Sequence, residues 1–326
     1  MEVGKKMRIV KWTMLILSII IIIVAGIASA IVLSYPQSPP TLELISAPFR
    51  SMDFSKLPPL SHYTARDGAQ LAYRAYPVSH PKKTVVLIHG SSGASRSVHA
   101  LAGYLQGQGM EVYAPDIRGH GDSGSKGDIA YVGQLEDDIE DFVNHVLKGK
   151  QDAILIGFSA GGGFALRFAG SNRQKLFANY LLLAPFLRYD APTTKSNNGE
   201  WANASIPRII GLSLLGPLGK KWFGHLPVIA FAIDPKTIQY QTAIYSYRLW
   251  SNFGPHYNYK ADMKAAKQPI TVMVGKNDEL FYPQKYLPVF AASQPHVEIT
   301  IVSDVGHISL ISDKTGLKAV AEQISH

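Results

Sequence analysis

The stretch AILIGFSAGGGFALRFA, residues 153 to 169, places two structural patterns on either side of one serine. The apolar run before the serine has the length of a buried strand, and the apolar segment after it is compatible with a helix. Ser159 itself stands between Gly157 and Gly161. In one interpretation the chain turns tightly from strand to helix and exposes Ser159 as a nucleophile. In the other, the stretch is only a glycine-rich turn, so the rest of the sequence has to decide.

Short apolar runs of strand length recur along the chain. They are continuously apolar, which is typical of strands buried on both faces of a parallel sheet. The runs cover residues 84–90, 110–116, 153–159, 180–185, 269–275 and 297–302. Segments with helical spacing of apolar residues lie between them, most clearly at 131–147. This alternation predicts an α/β domain with a mostly parallel sheet and helices on both faces.

One interval breaks the alternation, because about 85 residues separate the run that ends at Pro185 from the run that starts at Pro269. This interval contains three of the four tryptophans and several proline breaks. We expect an insertion at about 186–256 made of short apolar helices joined by loops. It would form either a lid over a site or a small satellite core.

The N-terminal region has the pattern of a membrane anchor. Residues 12–33 carry no charged side chain and, as a helix, could span about 30 Å of hydrocarbon. The segment before them, 1–11, is basic through Lys5, Lys6, Arg8 and Lys11. The positive-inside rule therefore predicts a cytoplasmic N-terminus and an extracytoplasmic catalytic domain. The small-residue pattern at 28–30 leaves a cleaved signal peptide, and hence a secreted protein, as the alternative; the apolar run to Leu33 favours an uncleaved signal anchor.

Residues 34–60 hold six of the twenty prolines, which predicts a stiff, extended tether between the anchor and a folded domain at 61–326.

The formal net charge is +8, but no basic run with interleaved aromatic residues follows the basic segment. We therefore expect attraction to an anionic membrane surface and no binding of nucleic acid. The absence of cysteine excludes disulfides, thiolate metal sites and a cysteine nucleophile.

Three residues that directly follow apolar runs could form a catalytic triad. Sites in open α/β sheets gather at the carboxyl ends of the strands. A serine nucleophile needs a histidine to take its proton, and the histidine needs a carboxylate to fix its tautomer. Ser159, Asp278 and His307 stand at such positions in that chain order. Glu279 is a second candidate for the acid, whereas Asp304 lies too close to His307 on the same loop.

Five motifs carry a family resemblance: HGSSG (89–93), DIRGHGDSG (116–124), GFSAGG (157–162), GKNDEL (275–280) and VGHISL (305–310). With them, residues 61–326 resemble an α/β-hydrolase of the monoglyceride lipase and lysophospholipase type, and are also similar to serine aminopeptidases. The resemblance implies that the backbone N–H groups of Ser91 and Ala160 form an oxyanion hole. It also implies that the insertion is a lid, and that His89 and His120 are turn and packing residues beside the site.

We therefore expect a membrane-tethered serine hydrolase that cleaves carboxylic esters with an apolar acyl group, such as a monoacylglycerol or a lysophospholipid, through an acyl-enzyme. An amidase or aminopeptidase would use the same triad, and a non-catalytic, membrane-anchored binding module would keep the same fold. The sequence has no metal-ligand spacing and no dinucleotide or phosphate-loop glycine pattern, so no cofactor is expected. It makes no prediction of oligomeric state.

Overall fold

The computed structural model describes residues 2–150, 152–196, 200–216, 219–294 and 297–325. Its strands, in chain order, are β1 (Ser61–Thr64), β2 (Gln70–Tyr76), β3 (Lys83–Ile88), β4 (Met110–Pro115), β5 (Ile154–Phe158), β6 (Asn179–Leu183), β7 (Ala202–Ala204), β8 (Pro227–Phe231), β9 (Ile244–Ser246), β10 (Ile270–Gly275) and β11 (Glu298–Val302). Eight of them form one sheet in the order β1-β2-β4-β3-β5-β6-β10-β11. Strand β2 is antiparallel to both of its neighbours, β1 and β4, and all the other neighbouring pairs in this sheet are parallel. The prediction of a mostly parallel sheet is therefore confirmed.

The middle of the sheet shows why its strands read as continuous apolar runs. The register of β3 and β5 pairs Val86 with Leu155 and Leu87 with Ile156. All four side chains are fully buried. Strands covered on both faces have no solvent side to carry polar residues, so the alternation typical of a half-exposed strand is absent.

The helices, in chain order, are α1 (Glu2–Leu33), α2 (Glu43–Arg50), α3 (His99–Gly107), α4 (Gln134–His145), α5 (Ala160–Ala169), α6 (Ile206–Leu214), α7 (Tyr247–Asn252), α8 (Tyr259–Ala265), α9 (Tyr286–Ala291), α10 (Ser309–Ser312) and α11 (Lys314–Ser325). Helix α3 packs against α10 and α11, and α5 packs against α8. Helix α4 falls inside the predicted segment and buries Leu135, Ile139 and Phe142, one apolar face at helical spacing.

The insertion between β6 and β10 contains a small antiparallel sheet, β7-β8-β9, besides helices α6 and α7. The expectation of helices joined by loops was therefore incomplete. Its strands are only three to five residues long, and so short a strand shows no readable alternation in sequence. The insertion's tryptophans differ in their surroundings: Trp201 is buried and stacks near Phe231, whereas Trp222 is exposed.

Helix α1 is long and apolar enough to cross a membrane: Val3–Leu33 has a mean hydropathy of 3.1 in its most apolar window. Its C-terminal end packs against α6 of the insertion. A Cβ atom at Gly211 would lie 2.9 Å from Ile31 Cγ1, so glycine allows the two helices their close approach. Arg208 adds hydrogen bonds from its guanidinium to the carbonyl oxygens of Val32 and Pro227. The apolar helix and the insertion are thus in direct contact.

The segment predicted to be an extended tether contains a helix. Helix α2 lies within it, and Ile45 on that helix is buried in the main hydrophobic core. The proline count was misleading here because proline restricts itself and the residue before it, and residues 41–46 are free of both effects. Apolar side chains at Ile45 and Phe49 are four residues apart, so they share one helix face and can pack together against the domain.

Candidate active site

Ser159 lies at a sharp turn between β5 and α5. Its backbone has φ 55° and ψ −117°, a conformation that L-residues rarely adopt. The flanking glycines are required by close approach: a Cβ atom at Gly157 would lie 2.1 Å from the carbonyl oxygen of Gly161. A Cβ atom at Gly161 would lie 2.3 Å from the carbonyl oxygen of His89. The predicted strand-to-helix turn is therefore present, and it presents a serine at the carboxyl end of a central strand.

The structure brings His307 and Asp278 together. His307 Nδ1 lies 2.8 Å from Asp278 Oδ2, and both side chains are almost completely buried. The other carboxylate oxygen, Oδ1, accepts hydrogen bonds from the backbone N–H groups of Leu280 at 2.9 Å and Phe281 at 2.8 Å. The carboxylate is thus fixed by two donors on one oxygen while its second oxygen faces the imidazole. This arrangement holds the ring with Nδ1 protonated and Nε2 free to accept a proton.

Glu279, the other acidic candidate, has a different position. Its Oε2 accepts a hydrogen bond of 2.6 Å from the backbone N–H of His307 and does not contact the ring. Asp304 is exposed, and its φ of 58° places it in a turn. Of the three carboxylates, Asp278 is the one that the structure joins to the imidazole.

Ser159 and His307 line one small cavity, with Ser91, Trp201 and Leu280 among its other walls. The volume left open in it is about 30 Å³. Within the part of the chain that the structure describes, the Ser159 hydroxyl makes no hydrogen bond to the imidazole. Such bonds are often long before substrate binds and tighten in the complex. The serine and the histidine therefore share one cavity.

The two predicted oxyanion donors are on the residue after Ser159 and in the loop after β3. Ala160 is the first residue of α5, where a helix leaves its N–H groups without internal partners. Ser91 lies in the loop after β3 and lines the same cavity. Among the backbone hydrogen bonds of the described residues, neither N–H has an acceptor. Two free donors beside a serine can stabilise a negative charge that develops on a substrate oxygen.

A buried network that sequence reasoning missed supports the loop that carries Ser91. The Tyr245 hydroxyl, from strand β9 of the insertion, accepts from the backbone N–H of Ser92 at 2.5 Å and lies 2.5 Å from His120 Nε2. His89 Nδ1 donates to the carbonyl oxygen of Gly90 at 2.8 Å. His89 and His120 are therefore packing residues beside the site. No local signal marks Tyr245, which is 153 residues from Ser92 along the chain.

This network predicts a loss of stability in mild acid. Burial lowers the pKa of His89 and lowers that of His120 strongly, so both rings are neutral in the folded protein. The unfolded chain protonates them below about pH 6.5, and unfolding then becomes more favourable by about 1.4 kcal/mol per proton for each pH unit. We expect the two histidines to leave the free energy of unfolding unchanged above pH 7 and to lower it between pH 6.5 and 5. Denaturant titration at several pH values measures it.

A variant of one of the two buried histidines separates this effect from general acid damage. His120→Gln should reduce the slope of stability against pH in this range. Equal slopes for the parent and His120→Gln would contradict the assignment.

The described ranges contain no cluster of three or more histidine, aspartate or glutamate side chains that could hold a metal ion.

Comparison with known proteins identifies the family. Residues 79–313 match the family model described as serine aminopeptidase, S33. The human monoglyceride lipase is 30% identical over 182 residues, which are 53% of this chain and 58% of that enzyme. The monoacylglycerol lipase of Mycolicibacterium smegmatis is 33% identical over 107 residues, 31% of this chain and 38% of that enzyme. The chain thus spans between about two fifths and three fifths of the length of these relatives.

Solved structures share the fold over more of the chain. A soluble variant of the Saccharomyces cerevisiae monoglyceride lipase, solved with a substrate analogue, has a TM-score of 0.62 at 19% identity, covering 84% of this chain and 96% of that one. The monoacylglycerol lipase of Paleococcus ferrophilus has a TM-score of 0.58 at 20% identity, covering 78% and 98%. With the family match and the sheet topology, the chain belongs to the serine aminopeptidase S33 family and has the α/β-hydrolase fold.

Proposed function

We propose that this protein is a serine hydrolase that cleaves carboxylic esters with an apolar acyl group through an acyl-enzyme. The observation that carries the proposal is the buried pair of His307 and Asp278, 2.8 Å apart, at the same cavity as a serine on a strained turn. The pair leaves Nε2 of His307 free to act as a base in the cavity that Ser159 also lines. The names of the relatives, all monoglyceride or monoacylglycerol lipases, agree with an ester as the substrate.

The mechanism follows from the roles that this geometry permits. Ser159 Oγ attacks the ester carbonyl carbon while His307 Nε2 takes the hydroxyl proton, and Asp278 stabilises the imidazolium that forms. The N–H groups of Ser91 and Ala160 hold the negative charge on the carbonyl oxygen. His307 then gives its proton to the leaving alcohol as the ester C–O bond breaks. A water molecule, activated by the same imidazole, hydrolyses the acyl-enzyme and releases the acid.

The walls of the cavity favour an apolar ester over a peptide with a free amino terminus. An aminopeptidase must neutralise the ammonium group of its substrate close to the scissile bond, which calls for a carboxylate in the pocket. The described residues that line the cavity include no aspartate or glutamate and are mostly apolar, with Phe158, Leu280 and Ile308 among them. An acyl chain needs only such apolar contacts. Monoacylglycerols and lysophospholipids are the substrate classes that fit.

The apolar helix α1 extends the proposal to a location. We propose a single-pass membrane protein with residues 1–11 in the cytoplasm, residues 12–33 as the span, and the hydrolase domain at 61–326 outside, joined by residues 34–60. The basic residues before the span support this orientation. A lipid ester substrate would then be available in the same bilayer.

Labelling with a fluorophosphonate tests the reaction class directly. The full chain, in detergent, should be labelled, and Ser159→Ala should lose all labelling because the reagent phosphonylates only an activated serine. Ser97→Ala, at a second serine of the same cavity, is the matched control and should still be labelled. A folded parent protein that takes no label would favour a non-catalytic binding module, unless variants that open the cavity are labelled.

A substrate panel then separates esters from amides. We expect hydrolysis of monoacylglycerols and lysophospholipids, with rates that rise from short to medium acyl chains, and much slower release from aminoacyl anilides. Faster cleavage of the anilides would favour the aminopeptidase alternative.

A further inference from the structure

Two side chains from helix α2 reach the candidate active site. Ile45 and Phe49 line the same cavity as Ser159 and His307, although they precede Ser159 by more than a hundred residues. Ile45 is 3% exposed, so it is buried as deeply as a core residue. The segment that joins the apolar helix to the hydrolase domain therefore forms part of the wall around the nucleophile.

The cavity is closed to an acyl chain while α2 is in this place. Its open volume of about 30 Å³ has room for no more than a few water molecules. A monoacylglycerol needs room for its glycerol group and for many methylenes. Some part of the wall must therefore move before the proposed substrate can reach Ser159.

Helix α2 is a part of the wall that lies outside the central sheet and its loops. The other apolar walls include Phe158 at the end of β5 and Leu280 beside Asp278, both fixed by the central sheet and its loops. Helix α2 has eight residues, with a proline inside it. A short helix of this kind has little stability of its own and depends on its packing.

The polar ties of α2 and its flanking residues run to the insertion. Arg50 Nη1 lies 2.6 Å from Asp234 Oδ2, and the Thr41 hydroxyl donates to the carbonyl oxygen of Ile233 at 3.3 Å. Arg50 also pairs with Glu43 on the same helix. The Arg50 side chain is 36% exposed, and Asp234 keeps a hydrogen bond from the backbone N–H of Lys236, so breaking the pair costs little. The apolar contacts of Ile45 and Phe49 are the larger cost of opening, and an acyl chain that enters would restore equivalent contacts.

We infer that α2 is a gate: Ile45 and Phe49 occupy the place of the substrate's acyl chain, and α2 leaves it when an acyl chain binds. This inference rests on the proposed function and adds the means by which the site opens. The linker of residues 34–42 joins the gate to helix α1 and could extend to about 30 Å, so α2 can move while α1 stays in place. An acyl chain stabilises the open state because it binds only there.

Variants that loosen the gate test the inference in the full chain in detergent, with a fluorophosphonate that carries a long alkyl chain. Arg50→Gln removes the ion pair and should raise the second-order labelling rate about two- to fivefold, as expected for a partly exposed pair. Phe49→Ala should raise it as well. Lys150→Gln, which removes the remote pair with Glu111, is the matched control and should leave the rate unchanged. Slower labelling of Phe49→Ala would show a fixed wall of the site and overturn the inference.

A crosslink provides the opposite test, since the chain contains no cysteine of its own. Arg50→Cys with Asp234→Cys can be joined by a short, cleavable bismaleimide that holds α2 to the insertion. We expect at least a tenfold fall in the rates of labelling and of ester hydrolysis on crosslinking, and recovery of both rates when the bismaleimide is cleaved. The two single-cysteine variants should be unaffected by the reagent. Labelling of the crosslinked protein at the uncrosslinked rate would contradict the gate.

The outcomes distinguish the gate from the proposed function. If the parent is labelled and hydrolyses esters but the gate variants do not differ from it, the proposed function stands and the gate is wrong. If only the loosened variants are labelled, both stand, with the gate closed at rest. If neither the parent nor any loosened variant is labelled while folded, the proposed function fails and the gate fails with it.

Discussion

Replacing Asp278 by asparagine is expected to lower kcat for a monoacyl ester about 10⁴-fold, with a small change in KM. In the structure Asp278 Oδ2 accepts a hydrogen bond from His307 Nδ1–H. An asparagine that keeps its carbonyl oxygen on the N–H groups of Leu280 and Phe281 would turn its NH₂ group toward the imidazole. That group can only donate, so Nδ1 must become the acceptor and the proton moves to Nε2. The imidazole then has no lone pair with which to take the proton of Ser159.

Glu279→Gln is the control for this prediction. Glu279 is adjacent in sequence and accepts from the backbone N–H of His307, which a glutamine oxygen can also do. We expect kcat within about threefold of the parent, since the tautomer of the ring is unaffected. Circular dichroism of both variants shows whether they are folded. If Glu279→Gln lost as much activity as Asp278→Asn, the assignment of Asp278 as the orienting carboxylate would be wrong.

The prediction of the sheet succeeded because its signal is local. Each buried parallel strand must be apolar along its whole length, as in Val85 to Ile88, so a window of six residues is enough to recognise it. The candidate site followed from the same rule. Ser159, Asp278 and His307 each stand shortly after such a run, and the carboxyl ends of neighbouring parallel strands meet at one edge of the sheet.

The features that the sequence did not predict depend on contacts between distant segments. Helix α2 is held by the burial of Ile45 and by an ion pair between Arg50 and Asp234, 184 residues apart. Tyr245 supports the loop at Ser92 through one hydroxyl group. Neither partner carries a local pattern that marks the contact. A single sequence shows what each segment can form, and tertiary packing selects among those possibilities.

A buried ion pair behind the candidate nucleophile shows the same limit and carries the largest expected effect on stability. Arg167 of α5 and Glu136 of α4 are both buried, with Nε and Oε1 2.5 Å apart. Glu136 Oε2 also accepts from Asn252 Nδ2 at 2.6 Å, and Asn252 Oδ1 accepts from the backbone N–H of Gly133. Three helices are thus joined through one carboxylate, and the helix that begins beside Ser159 is one of them. The helical spacing of α4 predicts only its apolar face and does not mark Glu136 as buried.

Arg167→Met is expected to lower the free energy of unfolding by about 3–5 kcal/mol, because it leaves the Glu136 carboxylate buried with no positive partner. The double variant Arg167→Met with Glu136→Gln should recover at least half of that loss. A glutamine at 136 carries no charge, and its oxygen can still accept from Asn252. Urea unfolding of the parent, both single variants and the double variant measures the coupling as a double-mutant cycle. A double variant no more stable than Arg167→Met would show that shape, and not charge, makes Arg167 necessary. Recovery of stability would show that the helix that begins beside Ser159 is held against α4 by a pair whose removal as a whole costs less than the loss of the Arg167 charge alone.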